Sequence, residues 1–251
     1  MALAYPWEIV PFFFLVAFLY SSVGHGGASG YLALFALFGV ASPAMAPVAL
    51  VLNILVASTS CWHYYRGGHF SWKMLWPFVV SSLPAAFLGG FIAVSPEVFS
   101  VLLGVALLLA AGRIFLWNNP LEAGTLHNTP LRASIPIGGV LGFVSGMIGI
   151  GGGVFLSPIL LLFRWADVKR TAAISSAFIV LNSMSGLAGH LSRSSFDVPG
   201  AVPLIVAAVT GAFLGSRIGA FKLSARILQG VLGLVLVMAG AKLIGKVFWM
   251  G

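Results

Sequence analysis

The chain has 251 residues, of which 60% are hydrophobic and only 7% are charged, and its formal net charge is +8 at pH 7. Soluble domains carry about 25% charged residues, so this composition excludes a water-soluble protein and indicates a chain that lies almost entirely in a membrane. Lys and Arg concentrate in the cytoplasmic loops of membrane proteins, and no basic run here is interleaved with exposed aromatic residues. The positive charge therefore predicts an orientation in the lipid bilayer, and we expect no nucleic-acid partner.

Uncharged runs follow one another along the chain and predict the membrane crossings. Runs without Asp, Glu, Lys or Arg cover 9–65, 74–96, 98–112, 133–163, 171–192, 198–216 and 227–241. A helix needs about 20 apolar residues to cross a hydrocarbon core of about 30 Å, so most of these runs can each supply a crossing. The runs 98–112 and 227–241 become long enough only if Arg113 and Lys242 extend to the interface. We therefore predict an all-α polytopic membrane protein.

Glycines interrupt the element that opens each half of the chain. The first interruption is SVGHGGASG at 22–30 and the second is MIGIGGGVF at 147–155. As one straight helix, 133–163 would be about 46 Å long at 1.5 Å per residue, which is too long for one crossing, whereas two full crossings need about 40 residues. Each opening element is therefore predicted to be a re-entrant hairpin of two half-length helices that enters and leaves on the same side.

The two halves also share further sequence in the same order, which indicates an internal repeat. The shared segments are AFLG at 86–89 and 212–215, VLN at 51–53 and 180–182, and LLGVALLLAAGRI at 102–114 with VLGLVLVMAGAKL at 231–243. We predict a first transmembrane repeat over 1–117, a linker over 118–131 that is rich in Asn, Pro and Gly, and a second repeat over 132–251.

A hairpin followed by three crossings inverts the second repeat relative to the first. In that arrangement all but three of the 13 Lys and Arg residues share one side of the membrane, and the exceptions are Arg193, Lys242 and Lys246. Parallel halves would split the basic residues seven to six. The positive-inside rule favours the inverted arrangement, so we predict inverted repeats in the inner or plasma membrane, with both termini outside.

Broken helices near mid-membrane are the usual binding sites of secondary transporters. The helix that leaves each glycine loop begins with free N–H groups and a positive dipole end, which favour an anion. The competing interpretation is that the glycines only allow close helix packing. In the same interpretation Asn53 and Asn182, the equivalent asparagines of the VLN repeat, only bond neighbouring helices. The predicted substrate-binding residues are Gly24, His25, Gly26, Gly27, Ser29, Asn53, Gly149, Gly151, Gly152, Gly153 and Asn182.

Two further side chains, His25 and Arg217, leave alternatives open. His25 matches Ile150 in the second loop, so it is either a proton or anion contact or an accessory of one orientation. Arg217 is either an anion contact in an inward-facing state or an interfacial anchor. We predict no metal site, cofactor or ATP hydrolysis, because no His/Cys/Asp cluster has metal-ligand spacing and no phosphate-binding loop is present. A coupling proton or ion and a homo-oligomer are left open.

The glycine motifs carry a resemblance to a known family. GHGGA at 24–28, GIGGG at 149–153 and GSRIG at 215–219 resemble the sulfite exporter TauE/SafE family of membrane permeases, from about residue 9 to residue 246. The resemblance implies a permease that moves a small anionic substrate such as sulfite, thiosulfate or an organosulfonate, usually outward, and it implies no catalytic residues. Ala28 and His25 depart from a plain triple glycine, so equal binding by both loops is not implied.

Two other functions compete with anion transport. A cation or metal-ion permease would be expected to have buried carboxylates or several cysteines, whereas the uncharged runs contain no carboxylate and only one cysteine, Cys61. A rhomboid-like intramembrane serine protease is indicated by GASG at 27–30, with His190 or His63 as the base, but the second loop has no matching serine.

Overall fold

The computed structural model describes residues 6–38, 45–92, 108, 112, 126–191 and 201–249. The helices in these residues are α1 (Val10–Ser22), α2 (Ala28–Leu37), α3 (Met45–Arg66), α4 (Trp72–Phe91), α5 (Leu131–Ile148), α6 (Gly153–Leu162), α7 (Val168–Leu191), α8 (Val202–Phe221) and α9 (Ala225–Trp249). A short 3-10 turn, Trp7–Ile9, precedes α1. The crossing predicted over 98–112 lies outside the described residues except for Leu108 and Gly112.

Five of these helices, α3, α4, α5, α7 and α8, are long and apolar enough to cross a membrane. Large apolar side chains also cover the outside of the molecule; Val140 on α5, for example, is 64% exposed. Such a surface is stable in hydrocarbon, where helices satisfy their backbone hydrogen bonds internally. The prediction of an all-α polytopic membrane protein is confirmed.

The chain reverses at both glycine loops and returns beside itself. In the first hairpin, Phe12 near the start of α1 contacts Phe38 just after α2, with ring centroids 5.8 Å apart. In the second, His127 N–H before α5 donates to the Arg164 carbonyl after α6 at 2.8 Å. The two ends of each hairpin therefore lie together, as a re-entrant element requires.

The arms of the second hairpin are unequal, so the prediction of two half-length helices was wrong there. The first arm, α5, has 18 residues, whereas α6 has 10. Four glycines inside α5 do not break it, because three of them pack against the backbone of α4. The helix ends only at Gly149, whose φ of +77° is in the left-handed region and closes the helix as a C-cap.

Glycines at every fourth position hold two pairs of parallel helices in backbone contact. On α8, Gly211, Gly215 and Gly219 face the carbonyls of Phe14, Phe18 and Ser22 of α1. On α5, Gly138, Gly142 and Gly146 face the carbonyls of Phe78, Ser82 and Ala86 of α4. Close approach at small residues is the usual way in which helices associate in lipid. The opening helix of the first half, α1, thus packs on α8 of the second half, and the opening helix of the second half, α5, packs on α4 of the first.

This contact predicts different effects for two glycines of the same helix. A Cβ at Gly142 would lie 2.5 Å from the Ser82 Cα, whereas a Cβ at Gly139 meets only the Ser81 side chain at an ordinary 3.7 Å. We expect Gly142→Ala to destabilise the protein by about 1–3 kcal/mol through overpacking. Gly139→Ala should be neutral or stabilise by up to about 1 kcal/mol through helix propensity. Thermal unfolding in detergent measures both; equal melting temperatures for the two variants would contradict the packing.

The central pair, α3 and α7, runs antiparallel. Asn53 of α3 bonds Ser183 of α7, and farther along α3, Tyr64 shares a buried cluster with Ala172, near the start of α7. These helices carry the two copies of VLN, so equivalent elements of the two halves point in opposite directions. Inverted repeats require this arrangement, and the repeat boundaries and the orientation of the chain in the membrane stay predictions.

Candidate functional site

The two glycine loops meet at the side chain of Asn53, halfway along α3. The Ala28 N–H, at the start of α2, donates to Asn53 Oδ1 at 3.2 Å. Asn53 Nδ2 donates to the Ile150 carbonyl of the second loop at 3.1 Å and to Ser183 Oγ of α7 at 2.9 Å. One buried amide therefore joins both loops to the central helix pair. We call this contact the loop junction.

The first loop, residues 23–27, turns with the help of left-handed glycines. Gly24 and Gly27 have φ of +78° and +89°, a region that is open to glycine and costly for other residues. Gly26 packs so closely on the Asn53 amide that an added Cβ would fall on its oxygen. The loop therefore brings the start of α2 to the junction.

The second loop has the same character. Gly149, Gly151 and Gly152 have φ of +77°, +73° and +76°. A Cβ on Gly151 would lie 2.5 Å from Asn53 Nδ2. Gly153, which follows Gly152, begins α6 and packs against Ile179 of α7. Both α2 and α6 thus begin beside the junction.

His25 takes part in a second buried polar cluster beside the junction. Its Nε2 forms a hydrogen bond of 2.8 Å with Ser157 Oγ of α6, and Ser157 Oγ lies 2.7 Å from Ser175 Oγ of α7. His25 is 1% exposed, and its Nδ1 has no hydrogen-bond partner among the described residues. A buried polar atom without a partner is costly, so a bound molecule that paired with this nitrogen would remove that cost.

Asn182 and Ser29 have different surroundings from Asn53. Asn182 Nδ2 donates to the Phe178 carbonyl of its own helix at 2.9 Å, and its Oδ1 has no partner in the described part of the chain. The residue of α7 that bonds Asn53 is Ser183, the residue after Asn182, and no motif in the sequence indicated it. Ser29 Oγ donates to the Tyr20 hydroxyl at 3.3 Å, inside the first hairpin.

The junction is buried and, among the described residues, holds no Asp, Glu, Lys or Arg side chain. His25, Asn53 and Asn182 are each 1% exposed and Ser29 is 5% exposed. Neither loop contains Asp, Glu, Lys or Arg, and none of the groups bonded to Asn53 is charged. A molecule held here would be bound by backbone, amide and hydroxyl dipoles. Because the groups are buried, helices must move apart before such a molecule can reach water.

The serine and histidines considered for a protease have separate partners. His63 bonds Ser216 Oγ at 2.8 Å and His190 bonds the Gly146 carbonyl at 2.9 Å, whereas Ser29 bonds Tyr20. Among the described residues, no group of three or more His, Cys, Asp or Glu side chains is placed to hold a metal ion.

Comparison with known proteins finds relatives that are described as membrane transporters. A protein of Sinorhizobium fredii described as a probable membrane transporter is 36% identical over 236 residues, which cover 92% of this chain and 95% of that protein. A probable membrane transporter of Methanocaldococcus jannaschii is 27% identical over 90% of this chain and 91% of its own length. No solved structure matches. The family model described as sulfite exporter TauE/SafE matches residues 9–243, and the chain belongs to this family.

Proposed function

We propose that the cargo of this multi-pass membrane transporter is a small sulfur-containing anion, such as sulfite, thiosulfate or an organosulfonate, that binds at the loop junction and is moved out of the cell. The observation that supports this proposal is the convergence of two helix starts, those of α2 and α6, on the uncharged junction around Asn53. The name of the family, sulfite exporter, points to the same class of cargo.

The junction suits an anion that must be released again. N–H groups at a helix start favour negative charge, and a sulfite or sulfonate group offers several acceptor oxygens. His25 Nδ1 adds one further group that can donate when it carries the proton. Without a Lys or Arg in the junction, binding stays weak enough for a carrier to complete its cycle.

We propose that the protein lies in the inner or plasma membrane with both termini outside. The basic residues Arg66 and Lys73 flank the short connection between α3 and α4, and such residues concentrate on the cytoplasmic side. The antiparallel pair α3 and α7 supports the inverted arrangement on which this orientation rests. In intact cells, a cysteine placed at Gly68 in a chain without Cys61 should react with an impermeant maleimide only after the membrane is permeabilised.

Counterflow in proteoliposomes tests the proposed cargo. The vesicles are preloaded in turn with sulfite, thiosulfate, sulfoacetate, sulfate, phosphate and a divalent cation. We expect saturable exchange of a sulfur oxyanion or sulfonate. Exchange of the cation alone would contradict the proposal and favour a cation permease.

The same assay tests the site. Gly152→Leu should abolish exchange while the protein still inserts and remains monodisperse, because a Cβ at Gly152 already lies 3.0 Å from Phe178 and Ser145 atoms. Wild-type flux in that variant would contradict a site at the second loop.

A further inference from the structure

A cleft of about 600 Å³ opens between the C-terminal ends of α3 and α8, away from the loop junction. Among the described residues, Arg66, Arg217 and Lys222 line it together with aromatic residues, and none of the described lining residues is a carboxylate. Asp167, which bonds Arg170 instead, does not line the cleft. The positive charge of the cleft is therefore unbalanced by the residues that form it.

Contacts among the lining residues fix the base of the cleft and one of its sides. His63 of α3, 6% exposed, bonds Ser216 of α8 at 2.8 Å and places its ring 4.9 Å from that of Phe213. The Arg66 guanidinium lies over the Trp62 ring, 5.8 Å from its centroid, which is within the range of a cation–π contact. These contacts tie α3 to α8 below the cations and hold one guanidinium in place.

The cleft opens on the face of the helices that meets lipid. Trp62, Phe213 and Phe221 line it, and they are 58%, 47% and 52% exposed. Along the same face of α8, Val206 is 58% exposed. Aromatic residues with nearby cations are typical of the boundary between hydrocarbon and headgroups. The cleft thus combines apolar walls below with positive charge at the helix ends.

The related ends of α4 and α7 are built differently. Gly90 of α4 packs against the backbone of Gly186 and Gly189 of α7. Following the AFLG repeat, the position equivalent to Arg217 is Phe91. Tight backbone contact and an aromatic residue therefore occupy the place of the cationic cleft. Among the described residues, the cleft therefore occurs on one side of the membrane only, the side that the basic residues predict to be cytoplasmic. The internal repeat does not explain its presence, because the equivalent helix ends form no such cleft.

We propose that this cleft binds the headgroup of an anionic phospholipid. The phosphate lies among Arg66, Arg217 and Lys222, and the acyl chains run down the exposed faces of Trp62 and Phe213. Anionic lipids of the cytoplasmic leaflet attract clustered Lys and Arg, and basic pockets between transmembrane helices bind such headgroups. This site is separate from the proposed anion cargo site at Asn53.

Native mass spectrometry of the full chain in detergent tests the proposal. Wild-type protein is titrated with phosphatidylglycerol and with phosphatidylcholine of identical acyl chains. We expect phosphatidylglycerol to bind at least about tenfold more tightly, because its headgroup is a net anion, whereas the choline of phosphatidylcholine adds a fourth cation beside the three of the cleft. Combined Arg66→Gln, Arg217→Gln and Lys222→Gln substitutions should abolish this preference. The matched control, Lys73→Gln, Arg132→Gln and Arg226→Gln, removes three exposed charges outside the cleft and should keep it.

Three outcomes would overturn the proposal. Equal binding of the two lipids by the wild type would show that the cleft does not select an anionic headgroup. Equal loss in the control variant would assign the preference to net charge. Displacement of phosphatidylglycerol by millimolar inorganic phosphate would assign the cleft to a free anion. Both triple variants should fold, because the replaced side chains are exposed. Thermal unfolding of each variant checks this.

Discussion

Replacing Asn53 by leucine is expected to lower substrate exchange by about 30-fold or more in folded protein. The substitution preserves side-chain volume approximately but removes the three hydrogen bonds of the loop junction. It leaves the Ala28 N–H and the Ile150 carbonyl buried without their partner. Each such orphaned group costs about 1–3 kcal/mol, and about 1.4 kcal/mol corresponds to tenfold in a rate. Initial rates of counterflow, normalised to monodisperse protein, measure the effect.

Asn182→Leu is the matched control. Asn182 holds the equivalent place in the VLN repeat, but it makes one bond within its own helix, and its oxygen has no partner in the described residues. Its replacement should change exchange by no more than about fivefold, because removing a single net hydrogen bond costs only about 1 kcal/mol and about 1.4 kcal/mol corresponds to tenfold in a rate. Equal losses in the two variants would contradict the special position of Asn53, and normal flux in both would contradict a cargo site at the junction.

Gly151→Ala is the second substitution with a large expected effect. It places a Cβ 2.5 Å from Asn53 Nδ2 and even closer to Ser183 Oγ, on a residue with φ of +73°. Left-handed backbone costs a non-glycine residue about 1–2 kcal/mol, and overpacking adds about 1–3 kcal/mol. We expect exchange to fall at least tenfold and the melting temperature to drop.

Gly68 separates the two causes of that loss. It has φ of +75°, but no atom lies within 4 Å of its ideal Cβ, so Gly68→Ala introduces the strain without the collision. This variant should lose about 1–2 kcal/mol of stability and retain wild-type exchange. If Gly151→Ala and Gly68→Ala lowered the melting temperature equally and both kept full exchange, the packing of Gly151 against the junction would be refuted.

Most helices could be predicted from the uncharged runs, because an apolar run of sufficient length has one stable form in hydrocarbon. The length of α5 could not be predicted in this way. Its glycines at 138, 142 and 146 suggest a weak helix when read alone, but they fit against the backbone of α4. The spacing of four residues is visible in the sequence, whereas the identity of the partner helix depends on the folded chain.

The candidate site, too, could be predicted from the sequence only in part. The repeated glycine loops and the VLN repeat led to Asn53, since both features are local in the sequence. Ser183 was missed because the repeat pointed to Asn182, the residue equivalent to Asn53. One residue turns a helix by about 100°, so the antiparallel crossing of α3 and α7 presents Ser183 and directs the Asn182 amide to its own helix. No property of residue 183 taken alone distinguishes it from the other serines of α7.

The lack of Asp, Glu, Lys and Arg among the described residues of the loop junction determines how the membrane voltage acts on the proposed cycle. A carrier that holds its anion with neutral dipoles moves the full charge of the cargo across the membrane. In a cell with a negative interior, each negative charge expelled gains about 2.3 kcal/mol per 100 mV. Export of a divalent sulfur oxyanion would therefore be electrogenic and downhill in voltage, and the resting potential alone could sustain a concentration ratio of more than a hundredfold without a coupling ion.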